Sequence, residues 1–173
     1  MTDAWILTYT GRQFWPLSPR AEDVCIEDIA HALSNICRFN GHVRQFYSVA
    51  QHCVSASQHV HERYALEALM HDASEAYLCD LPRPLKRATS MHGYGTAEKY
   101  LEAVIALVFN LKLEEMGCVR AVDEKLLLTE RRDLMPTGHW ITDETQCFEW
   151  HVDPWSPASS EKAFLQRFKE LTA

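Results

Sequence analysis

From residue 22 onward, apolar side chains recur at intervals of three and four, the period of a helix with one buried face. Ile26, Ile29, Ala30, Leu33 and the pair Ile36-Cys37 predict a first helix over residues 22–37, stopped by Asn40-Gly41. From His42 to Leu81 the chain contains neither glycine nor proline. Its pattern predicts two helices, broken at the polar cluster Gln58-His59-Val60-His61-Glu62-Arg63. Pro82 and Pro84 end the second helix just after Asp80. Residues 88–95, with Ser90, Gly93 and Gly95, read as a flexible connection. Leu101, Val104, Ile105 and Val108 predict a helix over residues 97–109, and another is expected over 117–134 before Pro136. Phe164, Phe168 and Leu171 carry a closing helix over 157–171.

Two stretches depart from this period. WILTYTGRQFWPLSP, residues 5–19, sets β-branched and aromatic residues on both sides of Thr10-Gly11. It predicts a short N-terminal β-hairpin or an extended cover segment. Residues 137–155 are irregular, aromatic and acidic, with a second small hairpin as the expectation; the aromatics around Trp140, Trp150 and Trp155 read as exposed and open to an interface. No repeat or low-complexity linker interrupts the 173 residues, so a single domain over 1–173 is expected. The predicted fold class is all-α, a helical bundle with that N-terminal hairpin or cover.

Composition narrows the function. With 47% hydrophobic and 24% charged residues the chain resembles an ordinary soluble protein. A net charge of −7 argues against a nucleic-acid polymer or an anionic membrane as the main partner. The N-terminus lacks a charged and then apolar leader, and no apolar run reaches the roughly 18 residues of a membrane span. Six scattered cysteines (Cys25, Cys37, Cys53, Cys79, Cys118, Cys147), with no CxxC, point to reduced thiols and a cytoplasmic location.

The chemistry lies where polar residues occupy apolar positions. His71 and Asp72 interrupt the runs Ala68-Leu69-Met70 and Ala73 to Leu78, and Glu75 shares their flank at i+4 and i+3. His52 edges the face of Phe46, Val49 and Cys53. Asp123 lies four residues after Val119 and three before Leu126, so it points toward the core, which is costly for a carboxylate without a cation to meet it. Two imidazoles and two carboxylates suit a divalent transition metal with open positions, not a closed thiolate site. Such an ion would activate water and orient a phosphoryl oxygen, and Glu75 is placed to act as general acid or base.

The order His52, His71-Asp72, Asp123 resembles the HD-domain metal-dependent phosphohydrolases. HDASEAYLCDLPRPLK, residues 71–86, is similar to the small bacterial and phage branch that includes the 5′-deoxynucleotidases. The likeness runs from Asp28 to Leu134. It implies an HD-domain helical bundle that hydrolyses deoxyribonucleoside 5′-phosphates to deoxynucleoside and phosphate. It also implies one divalent transition metal ion (Mn²⁺, Co²⁺, Fe²⁺, Ni²⁺ or Zn²⁺) on His52, His71, Asp72 and Asp123, with Glu75 and Asp80 catalytic. Arg38 stands fourteen residues before His52; the resemblance makes it a phosphate contact and sets Phe39 against the sugar where a 2′-hydroxyl would need room. Lys86 is a further phosphate contact, and His42 faces the same pocket. Trp15 lies too early in the chain for the family's Trp motif and belongs to the cover. A mononuclear centre is expected, because the interval between Asp72 and Asp123 holds only one further histidine, His92. A homo-oligomer follows by the same likeness. Two other readings stay open: a dNTP triphosphohydrolase, with Arg38, Arg44, Arg83, Lys86 and Arg87 as its cations, and a non-catalytic nucleotide-sensing module that keeps the metal for structure.

Overall fold

Ser48 is where the central helix begins. Its hydroxyl accepts the Gln51 N–H at 3.1 Å, an N-cap that starts α2 (Val49–His59). The residues before the cap are extended, because an antiparallel bridge joins Cys37 to Ser48 and the Arg38 N–H donates to the Tyr47 carbonyl. That long-range pairing delays the helix beyond its expected start at His42, and α1 (Ile26–Asn35) is likewise shorter than its pattern suggests. The break after His59 falls where the polar cluster predicts it. The computed structural model describes residues 4–113, 116–136, 138 and 143–173.

The remaining helices are α3 (Ala65–Met70), α4 (Glu75–Leu78), α5 (Arg83–Lys86), α6 (His92–Phe109), α7 (Gly117–Leu134) and α8 (Pro157–Thr172). α2 packs against α1, α3, α7 and α8, and residues on every side of it are buried. Ile29, Leu33, Val49, Leu69, Leu101 and Phe164 are all fully buried in one cluster around it. Among the described residues the protein is thus mostly helical, with a single two-stranded hairpin.

That hairpin pairs β1 (Ile6–Leu7) with β2 (Gln13–Phe14), Ile6 opposite Phe14. It is fastened to α1 by Thr10, whose N–H and hydroxyl both donate to the Asp28 carboxylate, at 2.7 and 2.9 Å. Phe14 is fully buried and stacks on Tyr77 with ring centroids 3.8 Å apart. Trp15 lies under the Arg20 guanidinium at 4.6 Å, as part of this cover.

Four further expectations change. Residues 92–95 are helical, not a flexible connection: α6 starts at His92, and Gly93 and Gly95 face open space, so they weaken the helix without obstructing it. The helix expected to run through His71-Asp72 to Asp80 is two short helices joined by a tight turn, with Ala73 N–H to Met70 O at 3.0 Å and Glu75 N–H to Asp72 O at 2.9 Å. The second hairpin falls partly on 137 and 139–142, outside the described residues; residues 143–155 hold a 3-10 turn (Glu144–Gln146) and no strand. His139 and Trp140 also lie outside the described residues. Trp150 and Trp155 are not exposed but half-buried against the two apolar clusters. Gln51 fastens this segment, donating to the Asp153 carbonyl and accepting from the Trp155 N–H, both at 2.8 Å. Among the described residues no helix is long and apolar enough to cross a membrane.

Candidate metal centre

The outer hydrogen bonds of two histidines decide what their inner nitrogens present. His52, fully buried on α2, has Nδ1 2.6 Å from Glu130 Oε1. His71, just past the end of α3, has Nδ1 2.8 Å from the Ala68 carbonyl. A carbonyl and an ionised carboxylate can only accept, so both Nδ1 atoms carry the proton and the neutral rings turn Nε2 lone pairs inward. Those two Nε2 atoms are 3.3 Å apart. Asp72 Oδ2 lies 3.3 Å from His71 Nε2 and 3.9 Å from His52 Nε2. Asp123 Oδ1, from α7, lies 3.1 Å from His52 Nε2 and 4.0 Å from His71 Nε2.

Four acceptor groups facing one point repel one another unless a cation stands between them. The donor set therefore fits a metal: ligand atoms of His52, His71 and Asp72 all lie within 4.8 Å of one another and could hold an ion. In the metal-free protein a proton substitutes. Burial and Arg38 oppose charge on His52, but Glu130 and Asp123 outweigh them and raise its pKa to about 9. Burial likewise works against the charge on Asp123, yet His52, His71 and Arg38 hold its carboxyl far below the usual range.

Arg38 opens the turn Arg38–Gly41, in which Phe39 and Asn40 take left-handed φ values of 55° and 53°. Its guanidinium is buried, with Nε donating to Glu130 Oε2 at 3.1 Å and Nη1 3.5 Å from Asp72 Oδ2. The half-buried Phe39 ring is centred 5.6 Å from that guanidinium. Backbone strain at a bulky residue beside a charged cluster is characteristic of functional sites. His42 is exposed, and among the described residues its ring makes no hydrogen bond or ion pair with the cluster.

Glu75 begins α4 and is buried. Its Oε1 accepts from Lys86 Nζ at 3.2 Å, while Oε2 is buried without a partner among the described residues. Burial, reinforced by Asp72 and Asp80, pushes its pKa well above the ordinary range despite Lys86. Burial also raises Asp80, with Asp72 adding to the shift and Arg38 opposing it. Lys86 is held between two carboxylates, donating to Glu98 Oε1 on α6 at 2.7 Å as well as to Glu75. It is thus turned to Glu75 instead of standing free. Beside the cluster is a cavity of about 300 Å³, with His71 and Asp123 in its wall among Met70, Ile105 and Val119.

The sequence reading has Arg83 only as a cation for the triphosphate alternative, and it missed Glu130. Arg83, half-exposed at the start of α5, sets Nη2 3.6 Å from Asp123 Oδ2. Glu130 is fully buried and accepts from Tyr47 Oη at 3.0 Å besides meeting His52 and Arg38. It stands seven residues after Asp123, two turns along the same helix face, and that spacing was the signal available.

The fold and the cluster define a helical protein with a metal-capable His-His-Asp site. No family model matches the chain. It is 42% identical over 175 residues to the uncharacterized protein YfdR of Escherichia coli (strain K12), across 98% of this chain and 96% of that protein, and it belongs to the YfdR family. It is also 38% identical over 120 residues to the uncharacterized protein RCAP_rcc00048 of Rhodobacter capsulatus, across 64% of this chain and 61% of that protein.

Proposed function

We propose that this chain is an HD-domain phosphohydrolase that removes phosphate from deoxyribonucleoside 5′-phosphates, with one divalent transition metal ion on His52, His71, Asp72 and Asp123. The observation that carries the reading is the convergence of two Nε2 lone pairs and two carboxylates beside the buried, half-satisfied carboxyl of Glu75. When bound, the ion supplies Lewis acidity, lowering the pKa of a water and polarising a phosphoryl oxygen.

The chain's own residues do the rest. Glu75, whose pKa burial and Asp72 push up, holds a proton for the departing sugar oxygen and accepts one from the attacking water in the next cycle. Asp80, also raised, shares that proton traffic. Lys86 and Glu98 fix the Glu75 carboxyl in place. Arg38 offers positive charge beside Asp72, where phosphate charge develops. Phe39, against that guanidinium, provides the apolar wall for the sugar.

A monophosphate fits this arrangement better than a triphosphate. Lys86 is committed to Glu98 and Glu75 and Arg38 to Glu130 and Asp72, so extra phosphates find few uncommitted cations near the cluster. A purely structural metal would need no buried, unpartnered Glu75 oxygen, which disfavours the sensing module. The test supplies dNMPs, dNTPs and ribonucleoside monophosphates to protein reconstituted with Mn²⁺ or Co²⁺. Phosphate plus deoxynucleoside from dNMPs, lost in Glu75→Ala, is expected. Turnover of dNTPs alone would reassign the activity to a triphosphohydrolase, and a metal-loaded protein inert to all of them would point to the sensing module.

A further inference from the structure

Glu130 gathers hydrogen bonds from three separate segments at the floor of the site. Oε1 accepts from Tyr47 Oη at 3.0 Å and faces His52 Nδ1 at 2.6 Å; Oε2 accepts from Arg38 Nε at 3.1 Å. Tyr47, His52 and Glu130 are fully buried and Arg38 nearly so. We propose that Glu130 is the positioning residue for both arms of the centre, fixing His52 in the tautomer that presents Nε2 to the ion and turning the Arg38 guanidinium toward Asp72. The inference rests on the metal reading above.

Stability alone gives little reason for this carboxylate. A buried ion pair is commonly matched by apolar residues of similar volume, because desolvating the charges consumes most of their attraction. Geometry and charge give a better one. A histidine ligand whose distal N–H is held by a carboxylate keeps both its ring orientation and its basicity. With neutral imidazoles, the carboxylates of Asp72, Asp123 and Glu130 outnumber the buried Arg38 guanidinium and the half-exposed Arg83 guanidinium beside Asp123, leaving net negative charge for a divalent ion to meet. Replacing Glu130 by a neutral residue would leave a metal-loaded centre with an uncompensated positive charge in a buried setting.

The proposal is tested on two levels. In the unaltered protein, nitrogen and proton NMR of the His52 imidazole follows Zn²⁺ addition. The expected result is a proton retained on Nδ1 while Nε2 shifts on ligation; a proton on Nε2, or ligation through Nδ1, overturns the proposal. This measurement needs no variant and stands if Glu130→Gln fails to fold. In the folded variant, Co²⁺ titrations followed by visible absorption should show affinity weakened about 10- to 100-fold. Tyr47→Phe keeps the contacts to His52 and Arg38, and its Co²⁺ affinity should stay within about twofold of the parent, since the distal contact that governs ligand affinity is intact. Melting temperatures lowered in both variants with Co²⁺ affinity and spectrum unchanged would mark Glu130 as merely structural and overturn the proposal. Failure of the parent to bind Co²⁺ would overturn the metal reading, and this inference with it.

Discussion

Stripping divalent ions from the protein and raising the pH should cost it stability in a defined window. In the metal-free chain the His52 pKa stands at about 9, against 6.5 for a free imidazole. The folded state therefore binds this proton more tightly than the unfolded state. The resulting stability is fully present below about pH 6.5 and is lost as the pH rises through about 9. At about 1.4 kcal/mol per pKa unit, the difference amounts to roughly 3 kcal/mol, about two thirds of it lost between pH 6.5 and 8.5.

Other groups share that sign, Asp80, Glu102 and Cys25 among them, and Glu75 and Cys53 above all have to be separated from it. Glu75 is raised by burial, so its contribution begins to fall above pH 4.5; the experiment is run on Glu75→Gln, which removes it. Burial also raises the Cys53 thiol, but its contribution falls only near and above its ordinary value of 9.0. Urea unfolding in EDTA, followed by circular dichroism at half-unit steps from pH 6 to 9.5, reads the free energy directly, provided the m-value stays constant. A fall of about 2 kcal/mol between pH 6.5 and 8.5 is expected. With saturating Zn²⁺ the fall should vanish, because the ion takes the proton's place. A flat profile without metal, or the same fall with and without it, would refute the reasoning.

Other perturbations have equally definite outcomes. Cys79 is exposed with φ 70° and ψ 154°, a region that suits glycine; Cys79→Gly should raise stability by about 1 kcal/mol and Cys79→Val lower it, read by thermal melts, and a less stable glycine variant would contradict the strain. Asp133 accepts two bonds from Arg132, at 2.7 and 3.0 Å, and the Val152 N–H at 2.8 Å, which lowers its pKa to about 2 despite burial. Its contribution is present above about pH 4 and lost as pH falls through about 2, so Asp133→Asn should cost roughly 2 kcal/mol at pH 7 and little at pH 2, by urea unfolding. If the half-exposed Arg83 guanidinium beside Asp123 also meets the substrate phosphate, Arg83→Ala should leave the melting temperature unchanged and raise KM for dNMPs about tenfold in steady-state assays, and an unchanged KM would deny it that contact.

How far the sequence carries toward this site depends on the range of the interactions involved. His52, His71, Asp72 and Asp123 were legible because each puts a polar group at a position that helical spacing assigns to the core, and the structure brings all four together. Glu130 obeys the same rule but follows Leu126-Leu127-Leu128, and three consecutive leucines blur which face of α7 is inward. The start of α2 was illegible because the bridge from Cys37 to Ser48, not local propensity, holds residues 42–48 out of the helix. Lys86 reads as a phosphate contact from its place in LPRPLK, yet its direction follows from the short α5 turn and from Glu98 on α6, neither of which periodicity encodes. Gly93 and Gly95 suggested a break, but exposed glycines lower helix propensity by only about 1 kcal/mol each, and the rest of α6 outweighs that.

The most direct test of the central claim is phosphate release from a mixture of the four common dNMPs as Co²⁺ is titrated into EDTA-stripped protein. No release without metal, a linear rise with added ion and a plateau at one equivalent per chain are expected, all abolished by His71→Ala. Full activity in the metal-free protein, or none at any ratio while Co²⁺ demonstrably binds, would contradict the claim.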